Sequence, residues 1–293
     1  MRPFLKWVGG KSQIVNEVLD YFPNTFKNYR EIFVGGGSVL LAFLQNKEIK
    51  VSGNIYAYDT NIYLIELYKN VQTHPEELWN AIKILIDEYN SIEEDTGDKN
   101  PKSKDDALLS KESYYYWIRS LYNDLCKKDN KSDINISAMF IFLNKTCFRG
   151  IYRESKNGFN VPYGNYKNPE IINKDTILKV SKLIKSVKFE CMDFKDSINS
   201  VENDDFVYLD PPYVPIKLTS FVGYTKDSFT EHKNLFDLCK NNIHGKAKFL
   251  MSNSNTELVK ENMNMFKIDT IECRRAINSK NPSSKASELL ISN

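Results

Sequence analysis

Tyr29-Arg30-Glu31-Ile32-Phe33-Val34-Gly35-Gly36-Gly37-Ser38-Val39-Leu40-Leu41-Ala42-Phe43-Leu44 reads as a strand, a tight turn and the start of a helix. The first six residues are β-prone, and the last seven begin an apolar helix with Ser38 near its N-terminus. In such a unit a ligand can approach bare backbone at a helix N-terminus. Gly35 and Gly37 permit the turn and the close approach. A second strand, residues 54–58, ends in Asp59. That acid lies roughly 20 residues beyond the glycines, a spacing that suits hydrogen bonds to two ribose hydroxyls. The turn has no lysine followed by Ser or Thr, and it is shorter than a dinucleotide fingerprint. A nucleoside without phosphates therefore fits it better than NAD or ATP. Taken alone, the same residues also read as a plain left-handed turn beside a surface aspartate.

Outward from this unit, strands and helices alternate. Helical periodicity covers roughly 61–91, with Leu64, Leu67, Tyr68 and Val71 on one face. Residues 91–110 are rich in Asp, Glu, Lys, Asn and Ser and read as a mobile surface insertion without an element of its own. Helices are expected to resume near 114–127 and 136–143, and residues 144–168 read as loop-rich. Strand signals follow at 187–191, 206–209, 248–252, 267–271 and 288–291, with amphipathic helices at 175–186 and 229–242. Strands alternating with helices at both ends of the chain predict an α/β sheet, interrupted by a helical and loop-rich middle.

The run Phe206-Val207-Tyr208-Leu209 delivers Asp210-Pro211-Pro212-Tyr213. Each proline fixes its own φ and removes its own N–H, leaving the carbonyls of Asp210 and Pro211 free. A carboxylate, a free carbonyl and a planar ring suit a flat substrate bearing an NH2 group, such as a nucleobase amine. A proline turn capping a strand is the plain alternative.

The net charge of +2 does not announce a polyanionic partner, so any basic surface is local. It is found in residues 145–167, where Lys145, Arg149, Arg153, Lys156 and Lys167 face only Glu154 and alternate with Phe148, Tyr152, Phe159, Tyr163 and Tyr166. Basic and stacking groups on one loop suit phosphate contact and intercalation. The five cysteines and three histidines are scattered, which argues against a metal site or a disulfide framework and for a reducing compartment. Neither a signal peptide nor a membrane-spanning run is legible. The basic, aromatic segment Pro3-Phe4-Leu5-Lys6-Trp7-Val8-Gly9-Gly10-Lys11 is unlike an ordinary frayed terminus and reads as tied onto a site.

Together these segments resemble the Dam-type adenine-specific DNA methyltransferases, the α-group of S-adenosylmethionine-dependent amino-methyltransferases. The resemblance rests on 4–11, on Phe33-Val34-Gly35-Gly36-Gly37-Ser38, on Phe142-Leu143-Asn144-Lys145-Thr146-Cys147-Phe148, on Phe159-Asn160-Val161-Pro162-Tyr163-Gly164, on Asp210-Pro211-Pro212-Tyr213, on Ser228-Phe229-Thr230 and on Arg274-Arg275-Ala276-Ile277, in the family's order.

The resemblance implies a Rossmann-like α/β core with a mixed, mostly parallel seven-stranded sheet, helices on both faces, and an inserted, mainly helical DNA-recognition domain. Residues 1–61 and 169–293 would form the catalytic domain and 62–168 the recognition domain. It further implies S-adenosylmethionine as methyl donor, S-adenosylhomocysteine as product, no metal, and double-stranded DNA with a flipped-out adenine as substrate. Trp7, Lys11, Phe33, Gly35, Gly37, Ser38, Asp59, Asp193, Phe194 and Asp210 would hold the donor. Asp210, Pro211, Pro212 and Tyr213 would carry catalysis, with Phe221 and Tyr224 as further wall residues. Lys6, Phe148, Arg149, Ile151, Arg153, Asn160, Pro162 and Tyr166 would face or support the DNA, Arg153 being the candidate reader of a guanine edge. Arg149 stands where GATC-specific relatives often carry Asn, and 153–159 is one residue shorter than the pattern, so another adenine-containing site is as compatible as GATC. The implied setting is intracellular, cytoplasmic or nucleoid-associated, away from membranes, and a viral origin and a monomeric state are both compatible. The rival readings are an amino-methyltransferase acting on RNA or protein, and an inactive DNA-binding relative.

Overall fold

The computed structural model describes residues 2–93, 97–128, 130–216, 229–274 and 285–293. Its centre is a seven-stranded sheet built from β1 (Tyr29–Glu31), β2 (Ile55–Asp59), β3 (Val187–Cys191), β4 (Phe206–Leu209), β5 (Lys248–Ser254), β6 (Lys267–Arg274) and β7 (Lys285–Ser292). The strand order is β6-β7-β5-β4-β1-β2-β3. The pairs from β3 across to β5 are parallel, and β7 runs antiparallel to both β5 and β6. This is the mixed, mostly parallel seven-stranded sheet that the resemblance implies.

The alternation within β4 shows why an unbroken apolar run makes a central strand. Phe206 and Tyr208 face one hydrophobic cluster and Val207 and Leu209 the other, and all four are buried. Both faces of a parallel sheet are covered, so both side-chain sets must be apolar. One cluster continues from the sheet into the helices Ile62–Thr73, Pro75–Asn90, Lys111–Cys126 and Ile134–Thr146 through Tyr68, Ile82, Tyr115 and Phe142. Asn61, Ser110 and Asp133 cap three of these helices through their side chains.

Several details differ from the sequence reading. The periodic stretch 61–91 is two helices that break at His74, because Pro75 opens the second at its first turn. The polar run 91–110 contains the short helix Lys104–Ala107, closed by a reciprocal capping box between Ser103 and Asp106. The loop-rich stretch holds a two-strand hairpin, Glu154–Ser155 against Gly158–Phe159. The strand after Asn28 ends at Glu31, with Ile32, Phe33 and Val34 between it and the glycines. The helix expected at 229–242 starts later, running as His232–Leu238, and widens to a π-helical turn through Ile243.

The order reverses between β1 and β4, so the crevice beyond their carboxyl ends is where such sheets bind ligands. The opposite ends of the same strands are locked by charge. Asp205, only 1% exposed, accepts from Arg30 Nε at 2.5 Å, Asn28 Nδ2 at 2.6 Å and the Glu202 amide at 2.9 Å. Arg30 also donates to Tyr58 Oη at 2.8 Å and lies over the Tyr56 ring. Removing one member strands the other charge in the interior. Asp205→Ala is therefore expected to lower stability by about 3–5 kcal/mol in urea unfolding, with turnover of the folded fraction unchanged.

Candidate active site and nucleic-acid face

Three strand ends and the N-terminal segment converge at the switch point. After β1, Gly35 and Gly37 adopt φ of 47° and 67°. A Cβ on Gly35 would lie 2.7 Å from Trp7 Nε1, and one on Gly37 would lie 2.6 Å from Tyr68 Oη. Both the backbone shape and the close neighbours therefore require glycine. Asp59, at the end of β2, accepts from the Gly35 amide at 3.1 Å and from the Asn61 amide at 2.9 Å. Burial raises its pKa and these amides oppose the shift. The acid thus stands beside the glycine turn, as its spacing in sequence implied.

Asp210 leaves the end of β4 beside Lys11. Lys11 Nζ donates to Asp210 Oδ2 at 2.7 Å and to the Gly9 carbonyl at 2.7 Å. It lies equally close to Oδ1, so the ammonium bridges both oxygens, and each carboxylate oxygen keeps a further lone pair with which to accept. Burial raises the Asp210 pKa, and the adjacent ammonium opposes that shift. The same ammonium sits 4.9 Å from the centre of the Tyr213 ring. Tyr213 donates to Glu288 Oε2 at 2.8 Å, and burial keeps its phenol far above the ordinary range. Pro211 is buried and Pro212 exposed in the same corner.

The other candidates are placed as follows. Ser38 does not cap its helix. Its hydroxyl accepts from the Lys11 amide at 3.0 Å and so ties the N-terminal segment to the glycine turn. The Trp7 ring packs on the glycines and stacks on Tyr152 and Phe140, leaving it half-buried. Asp193 caps the helix Phe194–Asn199 through the Lys195 amide. Phe194 is buried against Phe33 and Phe229. Phe221, Tyr224, Ser228 and 275–277 lie outside the described residues.

On the neighbouring face, Asn144 clamps the backbone of Lys6, accepting from its amide at 2.8 Å and donating to its carbonyl at 2.7 Å. Lys6 Nζ lies 4.1 Å over the Tyr166 ring and donates to the Lys145 carbonyl. Burial and the charge of Lys6 push the Lys145 ammonium down to about 8. Arg149 and Gly150 both take positive φ, 57° and 63°, and a Cβ on Gly150 would meet Lys6 Cβ at 2.4 Å. This reversal leaves Phe148 44% exposed with the Arg149 guanidinium over its ring. The Phe148 amide donates to the Pro162 carbonyl, and Ile151 closes the turn by donating to Phe148. Arg153 Nε donates to Asn160 Oδ1 at 2.7 Å across the hairpin. Arg2, Lys6 and Arg149 border one open cleft of about 380 Å³ that reaches Gly36 and Ser38. The candidates thus fall into two groups, one at the strand ends and one along this basic edge.

Sequence reasoning missed four residues at the first group. Asn253 Oδ1 accepts from the Val214 amide at 3.2 Å, and Ser254 Oγ donates to the Val214 carbonyl at 2.6 Å. Glu288 holds Tyr213 as described. Glu31 is 2% exposed in β1 and accepts from Tyr29 Oη at 2.7 Å. Desolvation, with a smaller contribution from Asp210, pushes its carboxyl up to about 8. The available signal was positional: Asn253 and Ser254 end an apolar strand just as Asp59 and Asp210 do.

Among the described residues no cluster of three or more His, Cys, Asp and Glu can hold a metal, and no helix is long and apolar enough to cross a membrane. Burial pushes the Cys147 thiol up to about 12, leaving it a packing group.

Residues 7–277 match the D12 class N6 adenine-specific DNA methyltransferase family. The chain is 37% identical to the type II methyltransferase M.MjaIII of Methanocaldococcus jannaschii, over 100% of this chain and 99% of that protein. It is 33% identical to the type II methyltransferase M1.LlaDCHI of Lactococcus lactis, over 100% and 95%. It is also 33% identical to a DNA adenine methylase of Haemophilus influenzae, over 96% and 89%.

Glu31 predicts a pH dependence of stability. It stays protonated in the fold up to about 8, whereas its ordinary value is 4.5. Its contribution is complete below that ordinary value and is lost as the pH rises through the folded one. Glu31→Gln keeps an acceptor for Tyr29 and removes the titration. Circular dichroism melts from acid to mildly alkaline pH should show the variant losing less stability than the parent, by on the order of a few kcal/mol.

Proposed function

The chain belongs to the D12 class of N6 adenine-specific DNA methyltransferases, and from that premise we propose how its residues divide the work. It is an adenine-specific DNA methyltransferase. The observation that carries the assignment is the Lys11–Asp210 pair at the end of β4, with the carboxylate still able to accept.

The methyl donor in this reading is S-adenosylmethionine, released as S-adenosylhomocysteine. The strand ends fit it: Asp59 offers a carboxylate to ribose hydroxyls, Gly35 and Gly37 bring backbone within reach, and Phe33 and Phe194 supply an apolar wall. Lys11 suits the donor's carboxylate, Trp7 and Ser38 hold the segment that carries Lys11, and Asp193 flanks the adenine. When bound, the donor supplies a methyl group on a sulfonium centre.

Everything else falls to the chain. The adenine amine is a poor nucleophile because its lone pair is delocalised into the ring. Asp210 Oδ1 and the Pro211 carbonyl accept its two hydrogens and localise that pair. Lys11 keeps Asp210 ionised, and the carboxylate stabilises the positive charge growing on the amine. Tyr213 stacks on the base, a contact worth about 1–3 kcal/mol. Because the amine is out of reach within a duplex, the base is extruded. Residues 62–168 serve as the recognition unit and 1–61 with 169–293 as the catalytic unit. Lys6, Phe148, Arg149, Ile151 and Arg153 face DNA in this reading and Asn160, Pro162 and Tyr166 support them; the cleft bordered by Lys6 and Arg149, the Arg153–Asn160 contact and the Lys6–Tyr166 contact favour it.

Two measurements test this. Asp210→Ala should lower methyl transfer by a factor on the order of 10³ while calorimetry still detects binding of the donor and of DNA; near-normal turnover would refute the role. Sequencing that detects methylated adenine, on DNA treated with the pure protein, should find the mark confined to one short motif. Methylation scattered without a motif would remove the recognition role from the 145–167 face.

A further inference from the structure

Resting on the reading that Tyr213 stacks on the target base, we propose that Glu288 is the positioning residue for that ring. Glu288 lies on β7, 75 residues further along the chain, and accepts the Tyr213 hydroxyl at 2.8 Å. In the β5–β7 ladder it stands directly opposite Ser254, and Leu289 stands opposite Asn253. Ser254 and Asn253 hold the carbonyl and the amide of Val214, the residue after Tyr213. One antiparallel pair therefore grips the corner at two places. β5 fixes the backbone that follows the ring, and β7 fixes the tip of the ring.

A tyrosine anchored at both ends cannot swing about its Cα–Cβ bond, so its face is presented in one orientation. The phenol stays protonated, because burial and the carboxylates of Asp210 and Glu288 push its pKa up, and so it remains a donor to Glu288. The charged groups facing this contact are Asp210 and Lys11, and the Tyr213 hydroxyl also lowers the Asp210 pKa as a hydrogen-bond partner, so Glu288 and Asp210 both face the tip of the ring. Glu288 also raises the Asp210 pKa through space. Its influence has two separable parts, a hydrogen bond to the ring and a charge near the acid.

The experiment separates them with Glu288→Ala, Glu288→Gln, Tyr213→Phe and the double variant Tyr213→Phe/Glu288→Ala. Turnover is measured with labelled donor on adenine-unmethylated DNA. Base stacking is read from the fluorescence of a duplex carrying 2-aminopurine at the target position of the motif found by sequencing. Glu288→Ala should lower kcat about tenfold with KM for the donor changed by less than about twofold, and it should brighten the bound probe. Glu288→Gln, which keeps an acceptor and loses the charge, should restore both signals. Tyr213→Phe should lose at least as much as Glu288→Ala, and the double variant should be no worse than Tyr213→Phe. An additional loss in the double variant, or a Gln variant as impaired as Ala, overturns the proposal. If Glu288→Ala fails to fold, Tyr213→Phe tests the same bond from its other end, and parental behaviour there overturns it. Tyr213→Ala serves the underlying reading: unchanged turnover and fluorescence in that variant would remove the stacking role itself.

Discussion

Asp210 is largely withdrawn from water at the end of a central strand, and the ammonium of Lys11 at 2.7 Å favours its charged form there. Without that partner, burial would favour the protonated acid. The pairing joins residue 11 to residue 210, so the N-terminal segment has to lie across the mouth of the sheet. Much of the local structure follows from that demand. Ser38 pins the Lys11 amide, Asn144 pins Lys6, and Trp7 lies flat on glycines that leave no room for a Cβ. The strand-end site and the basic edge are thereby joined by one short stretch of chain.

The far ends of the same strands are under a different constraint. There Arg30 and Asp205 form a buried pair whose partners include Tyr58, Ser200 and the Glu202 amide. The buried ion pair lies at one end of the parallel strands and the candidate site at the other. The end with the candidate site also carries the acids whose burial is unfavourable, namely Glu31, Asp59 and Asp210.

What could be read in the chain beforehand was whatever is local. Phe206–Leu209 is apolar without alternation because both its faces are covered, and that pattern needs no partner to be seen. The glycine turn and the Asp-Pro-Pro-Tyr corner are likewise contiguous. Glu31 was invisible because a charged residue in a short strand is ordinarily exposed; only the neighbouring strands, with Tyr208 and Ala57 opposite it, bury it. Glu288 was invisible because its partner is remote in sequence and the ladder register brings them together. The capping box at Ser103 was hidden by composition, since Asp106 counted toward a polar run when its side chain closes a helix. The break at His74 was readable from Pro75, but the strong periodicity on either side masked it.

The hairpin beside the basic edge has a consequence for how such a chain can diversify. Its base is closed by the Phe148–Pro162 and Gly164–Thr146 backbone bonds, and Asn123 braces it at Phe159 through both amide and carbonyl. Beyond that brace, Ser155, Lys156 and Asn157 project into solvent. Residues gained or lost at this tip fall between the Asn123 brace and the backbone bonds at the base. The fold therefore leaves the length and sequence of the tip free to drift while the frame that carries it is inherited intact.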